Sequence, residues 1–267
     1  YGIQKVFKDF KDIYAQKNNF DLIMILVNVD QILNIFEKVK HLKKFIFFEK
    51  PIGINLKESL YITKEVKKLK IRSFVGFNRR YYSVLHKGLK KLKSNNKKIV
   101  SLTVEGNERI WQIKKIKKHQ KYLKFWPFVN SIHTVDLVRY VAGEIDYNNF
   151  FKINSKTSYY ATMKSKNNII VSYISNYDYF DGWSVKIYNN FGEYIYLKPL
   201  EECVFITKKS TKNITKDISD KNFKPGFRSM HKNLYKEFRK SHTLNSKSNI
   251  NDALKSVNLV NRIFFND

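Results

Sequence analysis

The sequence predicts an α/β chain, with a parallel, helix-crossed domain over residues 1–97 and an α+β domain over 98–267 built on an open, mainly antiparallel sheet. Three observations predict it. In the first part, short apolar runs alternate with amphipathic stretches of helix length, an order that pairs strands in parallel through right-handed crossovers. From 147 to 207, apolar runs follow one another with turns of Asn, Gly, Asp and Lys, as in an antiparallel sheet. The tail then returns to helical spacing.

Each element has its own grounds. "DLIMILVNV" (21–29) is a continuous apolar run and reads as a buried strand. "QILNIFEKVKHLKK" (31–44) places Ile32, Phe36 and Val39 on one helical face with lysines opposite. "KFIFFEK" is a second buried strand, running straight into Glu49, Lys50 and Pro51. Asn55 and Glu58 stand at capping-box spacing before a helix whose Ile62, Val66 and Leu69 make an apolar stripe. "RSFVGFN" (72–78) is a third strand. Beyond it, "KKIVSLTVEGNE" reads as a strand, "IWQIKKIKKHQKYLKFW" as a charged lid or irregular helix, and "PFVNSIHTVDLVRYVAGE" as a helix closed by Gly143. The polar segment 208–224 reads as a mobile loop. Two helices follow, one with Phe227, Met230, Leu234 and Phe238 on a face, the other with Ala253, Val257, Val260 and Phe264.

Basic residues exceed acidic ones by 51 − 23 = 28, which by itself invites a nucleic-acid or anionic partner. Eight of them are Arg, however, and the lysines scatter over solvated faces among abundant Asn, Ile, Tyr and Phe, so coding bias explains the charge. The Lys-rich stretch 85–98 lacks aromatics interleaved at a recognisable spacing, and nucleic acid is not the expected partner. The six histidines lie far apart without an H-E-x-x-H, so no metal site is expected. One cysteine, Cys203, excludes an internal disulfide framework and fits a reducing, cytoplasmic setting. No apolar run approaches membrane-spanning length.

In order along nearly the whole chain, "DLIMILVNVDQ", "FFEKPIGINLKES", "VGFNRRYYS", "SIHTVDLVRYVAGE" and "GWSVKIYNNFGEYIYLKPLE" resemble the Gfo/Idh/MocA family of NAD(P)-dependent oxidoreductases. The resemblance implies a Rossmann-type nucleotide-binding domain ahead of the open sheet, NAD or NADP as cofactor, and hydride transfer to or from the carbinol of a sugar or nucleotide-sugar, with surface polysaccharide synthesis as one setting. It also implies a homodimer or homotetramer. The Rossmann-type domain is expected to be truncated: no two of the nine glycines are two residues apart, so there is no G-x-G for a pyrophosphate. Roughly the first 40–60 residues of the family pattern, about one βαβ unit, are then missing, and the chain alone is expected to be inactive. The other reading is a catalytically silent binding or scaffold protein that has lost the cofactor half-site.

A lysine at the mouth of a parallel sheet can donate to both a cofactor ribose and a substrate hydroxyl, and burial readily lowers its pKa. The resemblance gives Lys50 the catalytic and a cofactor-contacting role, and places Glu49 and Asn28 beside the cofactor. His133 and Asp136 lie i,i+3 on one helical face, where one would orient or share a proton with the other. His133 is the second catalytic candidate. Many family members carry an Asp four residues before this His; here that position is Val129, with Asn130 one residue closer. Asn130 and Asp136 are expected to contact substrate. Arg79 and Arg80 offer planar forks for phosphate or carboxylate, Arg79 towards the cofactor and Arg80 towards the substrate. Trp111 and Trp126 read as core residues in the first instance, with sugar stacking as the alternative.

Overall fold

The computed structural model describes residues 5–240 and 248–265. They divide into two compact units, one running to Gly76 and taking in Leu234–Lys255, the other made of Phe77–Asn233 and the chain from Ser256 on.

The first unit opens with α1 (Phe10–Ala15), capped by Asp9, whose side chain accepts from the Lys11 N–H. Strands β1 (Leu22–Ile25), β2 (Phe45–Phe48) and β3 (Ser73–Val75) form a parallel sheet in that order, with Ile25 opposite Phe48 and Phe48 opposite Val75. The crossovers carry α2 (Ile32–Val39) and α3 (Leu56–Lys68), which bury Ile32, Phe36, Ile62 and Val66. As expected, Asn55 caps α3 by accepting from the Glu58 N–H at 2.9 Å; Glu58 Oε2 reaches back to the Ile54 N–H at 3.1 Å. The four residues of β2 are all buried, each worth about 1.5–3 kcal/mol in apolar burial.

β1 departs from expectation. It stops at Ile25, and Met24, Leu26 and Val27 are 39, 59 and 38% exposed. Among the described residues β1 is an edge strand with β2 as its neighbour, and the apolar run 21–29 is therefore not buried throughout.

The second unit carries α4 (Ser83–Leu92), then strands β4 (Ile99–Gly106), β5 (Ile145–Asn154), β6 (Ser158–Ser165), β7 (Ile170–Asn176), β8 (Trp183–Asn189), β9 (Tyr194–Leu197), β10 (Cys203–Ile206) and β11 (Thr211–Ile214). They make one sheet in the order β11-β10-β9-β8-β4-β7-β6-β5, antiparallel except where β4 meets β7. Between β4 and β5 lie α5 (Ile110–Lys114), α6 (Lys117–Gln120), a π-helical segment (Pro127–Ser131) and α7 (Ile132–Ala142), closed by Gly143 at φ 89°. α8 (Ile218–Asn222), α9 (Phe227–Arg239) and α10 (Ile250–Phe264) follow, the residues of the last two divided between the units.

Cross-strand register puts Leu102, Met163, Val171, Ile187 and Ile195 on one face of this sheet, all buried. Phe151, Ile153, Tyr160 and Ile170 lie on the other, 44–64% exposed. α7 approaches β4 closely because Gly106 has no side chain: a Cβ there would stand 2.8 Å from Thr134 Oγ1 and 2.6 Å from the Tyr173 hydroxyl. α4 settles on the same face at Gly88, where a Cβ would meet Ile195 at 2.8 Å. That packing moves the expected boundary. Residues 77–97 belong to the second unit because α4 covers its sheet, and nothing in the composition of an amphipathic helix says which sheet it will cover.

The segment 208–224 is also corrected. β11 pairs with β10, Ile214 is 7% exposed, and the Asp220 carboxylate accepts from the backbone N–H groups of Ser83 at 2.7 Å and Gly226 at 2.9 Å. Thr211, Lys212 and Asn213 are exposed while the backbone of β11 joins the sheet. Among the described residues, no helix is long and apolar enough to cross a membrane.

Candidate active site

In the first unit the strands end on one edge of the parallel sheet. Asn28 follows β1 and is exposed; Glu49 and Lys50 follow β2 and are half-buried. The Glu49 N–H still donates to Ile25 O at 3.1 Å, so the ladder carries the chain up to Lys50. Glu49 Oε2 accepts from the backbone N–H of Lys50 at 3.0 Å, tying the carboxylate to the turn. The Lys50–Pro51 peptide bond is cis. A carboxylate, an amide and an ammonium at the carboxyl edge of a parallel sheet suit the ribose and nicotinamide of a dinucleotide. A pyrophosphate calls for a glycine turn that this sequence does not contain, so the fit extends to the nicotinamide half.

In the second unit, two of the candidates, Arg79 and His133, meet at the start of α7. Arg79 Nη1 lies 2.9 Å from His133 Nε2 and 2.7 Å from Asn78 Oδ1, with its guanidinium carbon 5.5 Å from the Trp183 ring centre. The His133 ring is 3% exposed and its centre stands 5.9 Å from that of Trp183. Arg79, expected to meet a cofactor anion, is engaged here with protein groups.

Arg80 and Asp136 pair with each other. Arg80 Nε donates to Asp136 Oδ2 and Nη2 to Oδ1, while Ser256 Oγ donates to Oδ1 at 2.7 Å and accepts from Arg139 Nη1 at 2.8 Å. Two expectations give way to this arrangement. Asp136 spends both carboxylate oxygens on Arg80 and Ser256, so it does not serve as the partner of His133. Arg80 is 3% exposed and stacks on Phe77 and Tyr140, so both ends of this pair are structural and not substrate contacts.

A group that sequence reasoning did not single out holds the approach to α7. Glu108, two residues beyond β4 and 4% exposed, accepts from Trp126 Nε1 at 3.0 Å, Asn130 Nδ2 at 2.9 Å and Ser131 Oγ at 2.9 Å. Two donors from the π-helical segment and a third from Trp126 just ahead of it thus converge on one carboxylate, and wide turns of this kind are frequent at functional sites. Asn130, expected on the substrate, commits its amide nitrogen to Glu108. Trp126 is core, as its first reading has it; Trp111 packs beside Phe180 with Lys115 over its ring. The signal for Glu108 was its place just past a strand end, and for Trp183 its place within a family-like motif.

No protein-family model matches the chain. Over 152 residues, 54% of the chain, it is 26% identical to a myo-inositol 2-dehydrogenase from Thermotoga maritima, and the match spans 42% of that relative. Among solved structures, a Gfo/Idh/MocA family oxidoreductase from Vibrio cholerae aligns with a TM-score of 0.73 at 15% identity, over 94% of this chain and 79% of that one. A levoglucosan dehydrogenase in complex with NADH and levoglucosan gives 0.73 at 13% identity, over 98% and 81%. The chain has the fold of the Gfo/Idh/MocA oxidoreductases, as its motifs imply.

Proposed function

We propose that the chain is a Gfo/Idh/MocA family oxidoreductase acting on the carbinol of a sugar or nucleotide-linked sugar with NAD or NADP. The observation that carries this reading is Glu49-Lys50-Pro51 at the carboxyl end of β2, the central strand of the parallel sheet. The inositol and levoglucosan of the similar proteins support the substrate class. Asn28, Glu49 and Lys50 hold the ribose and nicotinamide side of the cofactor, which when bound supplies the hydride acceptor. Lys50 binds the carbinol oxygen and stabilises the charge that grows there as its proton leaves. His133 takes up a proton at Nε2, and Asn130 meets the substrate through its amide oxygen. A second copy of the chain covers the sheet face bearing Phe151, Ile153, Tyr160 and Ile170, giving a dimer or tetramer in the cytoplasm. A sugar destined for surface polysaccharide is the finer expectation within this class. A silent binding protein that keeps the sheet without the cofactor is the second reading.

The test follows nicotinamide absorbance and calorimetric cofactor affinity for the chain alone and for the chain joined to a βαβ unit bearing G-x-G, against a panel of sugars, polyols and nucleotide-sugars. The chain alone is expected to bind weakly and not to turn over, because the glycine turn and helix N-terminus supply most pyrophosphate contacts. In the joined protein, Lys50→Ala is expected to lower turnover at least about 100-fold with cofactor affinity largely kept. Unchanged turnover in Lys50→Ala would move the active site elsewhere, and absence of cofactor binding by the joined protein would leave the silent reading.

A further inference from the structure

The contact between Arg79 and His133 has a chemical direction. A guanidinium carries five N–H donors, no acceptor, and keeps its proton at any working pH. At 2.9 Å from His133 Nε2, Arg79 Nη1 donates and the ring nitrogen accepts. A ring that accepts at Nε2 carries its proton on Nδ1 and is neutral; a doubly protonated ring would set two donors face to face beside a second positive charge.

The charged groups near the ring have partners of their own. From the 3-10 turn Asn78–Tyr81 come Arg79 itself and Arg80, the latter bound to Asp136. On His133's own helix, Asp136 is held by Arg80 and Ser256, and Arg139 donates to Glu144 at 2.8 Å. From β8 comes Trp183, an uncharged wall against which both the guanidinium and the imidazole lie. Asn78 Oδ1 anchors Arg79 from behind. An acidic neighbour would favour the imidazolium, whereas a guanidinium favours the neutral ring.

We infer that Arg79 is a positioning residue that holds His133 as the neutral, Nδ1-protonated tautomer, with Nε2 presented as the acceptor for a substrate hydroxyl proton. This rests on the acid/base role proposed above for His133. In the proton transfer the carbinol O–H bond breaks and an N–H bond forms at Nε2, for which the Arg79 donor gives way to the hydroxyl, so that the new N–H does not face the guanidinium.

The test needs no substrate. In the chain labelled with 15N-histidine, the His133 resonances, identified by their loss in His133→Gln, are expected to show an unprotonated Nε2 and a protonated Nδ1 at neutral pH. In Arg79→Met the preference is expected to give way to a mixture of tautomers, and the ring is expected to take up its second proton at higher pH. Arg79→Lys, which keeps a positive donor, is expected to restore part of the preference and guards against a fold lost in Arg79→Met. A wild-type ring protonated at Nε2, or tautomers and titration unchanged in both variants, would overturn the inference. Because the readout is spectroscopic, this signature in a protein that stays without dehydrogenase activity even when joined to the βαβ unit bearing G-x-G would count against the proposed function while upholding the role of Arg79.

Discussion

Arg80 and Asp136 face each other through two parallel hydrogen bonds, Nε to Oδ2 at 2.7 Å and Nη2 to Oδ1 at 2.5 Å, with side chains 4 and 2% exposed. Desolvating the two charges cancels much of their attraction, but removing one partner strands the other. Arg80→Met and Asp136→Leu are each expected to cost about 3–5 kcal/mol, and the double variant clearly less than their sum. Urea unfolding of the four proteins checks this; additive losses would show that the two residues act independently.

Glu108 presents only acceptors to Trp126, Asn130 and Ser131, so Glu108→Gln turns an amide N–H₂ towards at least one of those donors. The variant is expected to lose about 3 kcal/mol, from a charged acceptor removed and a buried donor left facing another. Denaturant unfolding measures the loss, and near-ultraviolet dichroism of the variant reports the loosening around Trp126. A loss below about 1 kcal/mol would mean that the π-helical segment is held by other contacts.

Cys203, in β10 and 5% exposed, has its thiol pushed up to about 12 by burial. In the unfolded chain it ionises near about 8.5, so ionisation favours unfolding. The contribution of the neutral thiol is whole below that pH and is lost as pH rises from there towards 12. Stability of the wild type is therefore expected to fall more steeply between pH 8 and 10 than that of Cys203→Ala. A thiol reagent at pH 8 is expected to label the folded chain slowly and the urea-unfolded chain fast; fast labelling of the folded chain would contradict the burial.

Much of this architecture is written locally. The alternation of apolar runs and helices, the Asn55 cap, the closing Gly143 and the place of Lys50 at the end of β2 depend on residues within a turn or two of one another, and period and propensity report them directly. Partner choice is not local. Arg80 finds Asp136 56 positions away and Arg79 finds His133 54 away, while the i,i+3 spacing of His133 and Asp136 suggested a pairing that both lost to nearer charges in the folded chain. The same holds for edges and layers. Among the described residues β1 has an apolar run fit for burial but one neighbouring strand; 208–224 has the composition of a loop but a sheet edge to join; α4 has an apolar face that suits either sheet and takes the one where Gly88 lets it in. By itself the sequence determined most of the strands and helices, and where their polar ends fall, because those follow from backbone sterics and the spacing of apolar side chains. The tertiary structure alone decided which charges meet, which faces are covered and which nitrogen of His133 accepts, because those depend on distances that exist only once segments far apart in the chain have packed.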